Sequence, residues 1–276
     1  MISALRSVES LDTDQRERLW HWPGATPAIV LVHGFTGDGL DFEELAEHLP
    51  LDLWAPDLLG CGETPASADA TDYDFTRYAA RLTAVVRRVE RATGSPPWLV
   101  GYSMGGRIAL AAAVDGAPIA GLVLVGAQPG LPVSARAARL ASDLALAASI
   151  DPESSAAFLA RWQALPLLVT QSAQTTLFQQ RRLARRARNS SFALANILSR
   201  AGPAAMPDLS GSLAGLSVPL HLVTGEMDPK FSASYDQLDR ELPPGVAVRH
   251  RLPGGHAVHL EAAEALARLL RGIASP

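Results

Sequence analysis

Ser103, Asp228 and His256 are of the types, and in the order, that can turn a weak hydroxyl into a reactive one. A serine is a poor nucleophile or base at neutral pH until an imidazole takes its proton. An acid behind the imidazole fixes its tautomer and stabilises its cation. Ser103 lies in Gly101-Tyr102-Ser103-Met104-Gly105, a G-x-S-x-G pentapeptide preceded by the apolar run Trp98-Leu99-Val100 and followed by helical spacing. That context is a sharp strand-to-helix turn, which pushes the serine oxygen out above a sheet and needs glycine where a side chain would strike its neighbours.

The other two partners are chosen by position. Asp228 stands just past the run Leu220–Gly225, after the serine in sequence, and is preferred over Asp208 and Asp236, with Glu226 the near competitor. Asp57 precedes the serine and is expected to hold its own loop. Among seven histidines only His256 follows the last strand in a glycine turn; His259, three residues on, is the alternative. Chemistry of this kind also needs donors for a developing oxyanion, worth about 2.7–4 kcal/mol each. The amide of Met104 is one, and the amide of Phe35, in His33-Gly34-Phe35-Thr36-Gly37 at the end of a strand, is the other. The His33 side chain is expected to hold its own loop.

The elements that must position these residues are legible as alternation. Ala28–Val32, Leu51–Pro56, the run from Trp98 into the G-x-S-x-G pentapeptide, Leu122–Gly126, Leu220–Gly225 and Val246–Leu252 are short, mostly apolar runs, as strands of a parallel sheet covered on both faces would be. Leu19–Trp22 is a candidate edge strand. Between them, Asp41–Leu49, Asp74–Thr93 and the stretch after Met104 read as helices, and Leu260 to Leu270 closes the chain as an amphipathic one. Alternating strands and helices imply an α/β protein with a mostly parallel sheet flanked by helices. After Gly126 the alternation stops: residues 128–210 read as a helical lid inserted into a core formed by 1–127 and 211–276.

Composition narrows the function. The chain has 276 residues, is 48% hydrophobic and carries a net charge of −4, so no basic field points to nucleic acid. A single cysteine, Cys61, allows no internal disulfide, and no long uncharged apolar stretch suggests a membrane span. A cytoplasmic protein is expected. Leu131–Arg200 holds nine arginines against three acids and no lysine, a surplus of six positive charges in a chain of net −4. A positive lid attracts anions, and arginine favours bidentate carboxylate binding, although much of Arg181–Arg188 could equally be a solvated helix face.

These features resemble the α/β-hydrolase fold over nearly the whole chain. More narrowly, Val100-Gly101-Tyr102-Ser103-Met104-Gly105-Gly106-Arg107, His33–Asp38, Gln128-Pro129-Gly130-Leu131, Gly225–Phe231 and Gly255-His256 are similar to the 2-succinyl-6-hydroxy-2,4-cyclohexadiene-1-carboxylate synthases of menaquinone biosynthesis. Gln128 departs from that family, where histidine is common. The resemblance implies a lyase in which the triad serine acts as a base, removing a ring proton so that pyruvate is eliminated from a tricarboxylate. It further implies that Arg107, one of Arg136 or Arg139, and Arg188 bind carboxylates, with Tyr102 and Trp162 lining the pocket. No metal or organic cofactor is implied, and the partner is a small anionic substrate. The residues alone leave open a serine hydrolase acting on an ester, lactone or carbon–carbon bond, and a binding protein that keeps the fold without the chemistry.

Overall fold

A computed structural model describes residues 6–8, 17–173 and 177–274. The described strands are β1 (Arg6–Val8), β2 (Leu19–Trp22), β3 (Ala25–Val32), β4 (Leu51–Pro56), β5 (Trp98–Tyr102), β6 (Gly121–Val125), β7 (Leu220–Gly225) and β8 (Val248–Leu252). They form one eight-stranded sheet in the order β1-β2-β4-β3-β5-β6-β7-β8. Strands β3 to β8 run parallel, while β1 and β2 pair antiparallel. Leu19–Trp22 is therefore a strand but not the outermost one, since Arg6–Val8 pairs along its free side.

The continuous apolar runs have a simple cause. In β3, Ala28, Val30 and Val32 point into one core, and Ile29 and Leu31 into the other. Alternate side chains leave opposite faces, so a strand covered on both must be apolar throughout. The first core is covered by α2 (Phe75–Thr93), α3 (Met104–Val114) and α8 (Pro229–Glu241), the second by α1 (Glu43–His48), α9 (Val258–Glu261) and α10 (Ala263–Ala274). Helix α2 stops at Gly94, whose φ of 77° is the left-handed cap conformation and whose amide bonds Glu90 O. The helix read at Asp41–Leu49 is split into a 3₁₀ turn, Gly39–Phe42, and α1.

Between β6 and β7 the chain forms α4 (Val133–Ala148), α5 (Ala156–Gln163), α6 (Leu177–Arg186) and α7 (Ser191–Ala201). Helices α4, α5 and α7 share a small core of their own, built on Ile150, Phe158, Leu159, Leu194 and Leu198, to which α6 adds nothing among the described residues. Among the described residues no helix is long and apolar enough to cross a membrane.

Candidate active site

The serine sits where β5 turns into α3, at φ 51° and ψ −111°. Such a conformation is costly for a residue with a Cβ and persists only where its surroundings enforce it. Here the enforcement is close backbone approach. A Cβ on Gly101 would lie 2.5 Å from Gly106 Cα, and one on Gly105 would strike the carbonyls of Val32 and His33. The turn is further tied by Ser103 N–H donating to Val125 O at 2.8 Å.

His256 Nδ1–H donates to Asp228 Oδ2 at 2.8 Å, leaving Nε2 to accept from Ser103 Oγ–H at 3.1 Å. Asp228 and His256 are fully buried, and the other Asp228 oxygen accepts from Phe231 N at 3.1 Å, so the carboxylate is oriented at both ends. Glu226, its near competitor, is exposed. Phe231 stacks on the imidazole at 4.7 Å and Tyr102 lies on another side at 5.2 Å. Gly126 completes the seat: its φ is 57°, and a Cβ there would meet the His256 ring at 2.8 Å.

His33 is neutral and structural. Leu58 N–H donates to its Nε2 at 3.0 Å, so Nδ1 carries the proton and donates to Gly34 O at 2.8 Å, and burial holds the imidazole down to about 4. Asp57 also holds a loop, accepting from Trp20 Nε1, Gly39 N and Glu63 N. Burial, reinforced by Asp38 nearby, raises its carboxyl to about 7. Cys61 is buried and its thiol is pushed far up by burial, which excludes a thiolate role.

His259 is not placed to serve as the base. It is buried against Tyr102 at 4.3 Å and Phe42 at 5.0 Å, with neither ring nitrogen hydrogen-bonded. Burial lowers its pKa from 6.5 to about 3. As pH falls below 6.5, the unfolded chain therefore takes up a proton that the folded one refuses. His259 thus favours the fold fully above pH 6.5 and loses about 1.4 kcal/mol per pH unit on the way down. We expect His259→Phe to be more stable than the parent, with the difference widening between pH 6.5 and 4.5 in thermal unfolding. A difference that stays constant with pH would contradict this account.

Ser103 opens on two lobes of one pocket. The larger, about 110 Å³, is lined by Phe35, Met104, Arg107, Gln128, Arg139, Trp162, Leu198, Lys230 and Phe231 among others. The smaller, about 70 Å³, has Phe35, Thr36, Tyr102, Trp162, Gln171, Arg186 and His256 in its wall. No acid lines either lobe. Phe35 and Met104 thus both flank the serine, and the Met104 amide belongs to the first turn of α3, where N–H groups lack intrahelical partners. Trp162 lines both lobes and packs edge-on against Phe35 at 4.8 Å. Among the described residues no group of three or more His, Cys, Asp or Glu is placed to hold a metal ion.

The expected carboxylate ligands divide. Arg107 is buried in the larger lobe, with Nη1 donating to Ala201 O at 2.9 Å. Burial, with Arg139 nearby, lowers its pKa to about 9, which still leaves it cationic at neutral pH. Arg139 lines the same lobe and pairs with Asp143 at 2.8 Å. Arg136 does not line either lobe, because its guanidinium turns to the Met206 carbonyl. Arg188 lies just past the end of α6, exposed and lining neither lobe; Arg186, one half-turn earlier, enters the smaller lobe instead. Arg186 and Lys230 were not singled out as ligands from the sequence.

Beyond Arg139 and Arg186, much of the lid charge is turned neither to the pocket nor to solvent. Helix α6 is inverted: Arg182 and Arg186 are buried while Leu177 and Leu183 are exposed. Arg185 pairs with Asp38 at 2.7 Å, Arg186 with Asp41 at 3.3 Å and Arg181 with Glu43 at 3.2 Å. The positive surplus is therefore largely met by acids of the core rather than by solvent.

A serine on a strained strand-to-helix turn, relayed through histidine to an acid beyond a later parallel strand, with helices inserted above it, defines an enzyme of the α/β-hydrolase fold. The sequence model of the alpha/beta hydrolase family matches residues 29–269. Within that class the chain belongs to the 2-succinyl-6-hydroxy-2,4-cyclohexadiene-1-carboxylate synthase family. It is 33% identical over 262 residues to the synthase of Salmonella newport, covering 91% of this chain and 97% of the relative. A Bacillus subtilis protein provisionally given the same name is 34% identical over 242 residues, 87% of each chain. The solved structure of MenH from S. aureus superposes with a TM-score of 0.81 at 26% identity, covering 94% of this chain and 97% of that one. The thioesterase domain of the curacin biosynthetic pathway, at 23% identity and a TM-score of 0.75, shares the fold.

Proposed function

We propose that the enzyme eliminates pyruvate from a succinylated cyclohexene tricarboxylate, giving 2-succinyl-6-hydroxy-2,4-cyclohexadiene-1-carboxylate, with Ser103 as the base. Ser103 Oγ gives its proton to His256 Nε2 as it withdraws a ring proton; Asp228 stabilises the imidazolium. The electron pair released at the ring carbon moves into the new diene as the carbon–oxygen bond to the pyruvate unit breaks; that unit leaves as the enolate of pyruvate, and the proton held on His256 goes to its carbon, which restores the neutral imidazole. The amides of Phe35 and Met104 bind the negative charge that develops between these events.

The observation that carries this reading is the distribution of charge around the serine. Arg107, Arg139 and Lys230 line one lobe and Arg186 the other, with no carboxylate in the lining; Asp143 pairs with Arg139 and Asp41 with Arg186 from outside it, so Arg107 and Lys230 are the lining cations without an acid partner among the described residues. Both lobes are mainly apolar, as small-molecule pockets generally are, and it is the cations set into those walls that suit a substrate with several carboxylates. The names of the synthase relatives support the same reading. The test is to supply the tricarboxylate precursor and p-nitrophenyl acetate in parallel. Pyruvate release with negligible ester turnover is expected; rapid ester turnover without pyruvate would replace the lyase by a serine hydrolase.

Arg107 gives a graded version of this test. A charge-assisted bond to a carboxylate is worth about 1.5–3 kcal/mol. Arg107→Ala is therefore expected to lower kcat/KM for the precursor about tenfold to a hundredfold, mainly through KM, and Arg107→Lys to recover it only partly because the planar fork is lost. Initial rates of pyruvate formation across precursor concentrations measure both.

A further inference from the structure

The turn that carries the Phe35 amide is held from outside the core. Gly37 N–H donates to Gly34 O at 3.1 Å, closing a turn whose third residue, Thr36, has φ 68°. That position normally takes glycine, and a β-branched residue there is strained by about 1–3 kcal/mol. No glycine relieves it, and Thr36 is buried. What opposes relaxation comes from the inserted helices. Asn189, between α6 and α7, donates Nδ2–H to Thr36 O at 2.9 Å. Arg185 Nε donates to Asp38 Oδ2 at 2.7 Å, and its Nη2 lies 3.5 Å from Asp41 Oδ1. Arg186 Nη2 donates to the other Asp41 oxygen at 3.3 Å. Asn189, Asp38 and Asp41 are all nearly inaccessible to solvent, so these contacts are weakly screened.

We infer that Asn189 and Arg185 are positioning residues for the reaction: Asn189 holds the strained Gly34–Gly37 turn at Thr36 and Arg185 anchors the Asp38–Asp41 segment that continues it, and together they aim the Phe35 N–H at the charge that develops beside Ser103. The inference rests on the reading that this amide is an oxyanion donor. It makes the inserted helices part of the catalytic geometry rather than a cover over the substrate, because the same helix that brings Arg186 to the smaller lobe fixes the turn. Neither Asn189 nor Arg185 lines a lobe, so their loss should act on the chemical step and not on substrate affinity.

The test uses a probe that needs the serine and its oxyanion donors but not the natural substrate. A fluorophosphonate is attacked by Ser103 Oγ; an O–P bond forms, fluoride leaves, the serine proton passes to His256, and the phosphoryl oxygen occupies the oxyanion position. Misplacing a catalytic donor by about 1 Å costs on the order of a hundredfold. Asn189→Ala and Arg185→Ala are each expected to slow labelling about tenfold to a hundredfold. The kcat for pyruvate release should fall in parallel, with KM within about twofold. Arg185→Lys should recover most of the rate, and Arg181→Ala, which removes only the half-exposed pair with Glu43, should label like the parent. Parental labelling rates in both alanine variants, a loss confined to KM, or Arg185→Lys as slow as Arg185→Ala would overturn the inference. Should Arg185→Ala not fold by circular dichroism, Asn189→Ala decides, since it leaves the ion pairs intact. An enzyme that labels but releases no pyruvate would remove the proposed reaction while the labelling rates still judge the clasp.

Discussion

Ser103→Ala is expected to lose pyruvate release by at least about 10⁴-fold while keeping its fold, since residues that act as a unit in such relays lose nearly all their rate acceleration together. Retention of the fold follows from the local geometry. The Ser103 side chain makes one hydrogen bond, to His256, and the backbone strain at φ 51° is the same for alanine as for serine. The Gly101, Gly105 and Gly106 approaches that enforce the turn are untouched. The melting temperature should therefore stay close to that of the parent, and substrate affinity should survive, because Arg107, Arg139 and Arg186 stand apart from the serine oxygen. Equilibrium binding of the precursor or product to the variant, measured by calorimetry, separates the two losses. Residual turnover within tenfold of the parent would mean that another group removes the proton.

Asp228→Asn is expected to lower kcat by about 10⁴-fold, through the tautomer of His256 rather than through its position. Asp228 Oδ2 accepts from His256 Nδ1–H and Oδ1 accepts from Phe231 N–H, so both oxygens face donors. An asparagine can offer only one acceptor oxygen. If that oxygen keeps the Phe231 amide, the NH₂ group faces His256 and moves the imidazole proton to Nε2. An Nε2–H cannot accept the serine proton, so the relay is reversed at its central member. The imidazole should remain seated between Phe231 and Tyr102, which hold it by ring packing. The nitrogen chemical shifts of the His256 ring report the tautomer directly. A variant that keeps both Nδ1 protonation and the parental rate would show that the carboxylate's charge is not needed.

The sheet and the relay were legible because both are written locally. A continuous run such as Ala28–Val32, rich in β-branched residues and too short for a helix, reads as a strand covered on both faces, and G-x-S-x-G between a strand and a helix admits few geometries. Asp228 was separable from Glu226 only by its place in the order of elements, and burial of one with exposure of the other is the physical counterpart. The inserted helices were legible as helices and not as faces. A row of arginines and an occasional leucine predicts cations outside and leucine inside, and α6 does the reverse because Asp38, Asp41 and Glu43 wait beneath it. Those acids lie about 140 positions earlier, so no spacing within α6 announces them. The same long-range pairing decides that Arg186 rather than Arg188 enters the pocket, while a separate distant contact, the Met206 carbonyl, turns Arg136 away from it.

The glycines at 101, 105 and 106 have one more consequence. At 101 and 105 main chain rests on main chain, and at 106 the approach is to the Gly101 carbonyl and the small Ala127 methyl, so the height of the reactive oxygen above the sheet is fixed with almost no reference to the bulky side chains of either core. Bulky residues on both faces of the sheet can be exchanged for others of similar volume and the oxygen will stay where it is, whereas a single methyl added at any of the three transmits its whole displacement to the nucleophile. An engineer reshaping the cavity for a different acid may therefore redraw its walls freely, provided that this small patch of bare backbone is left alone.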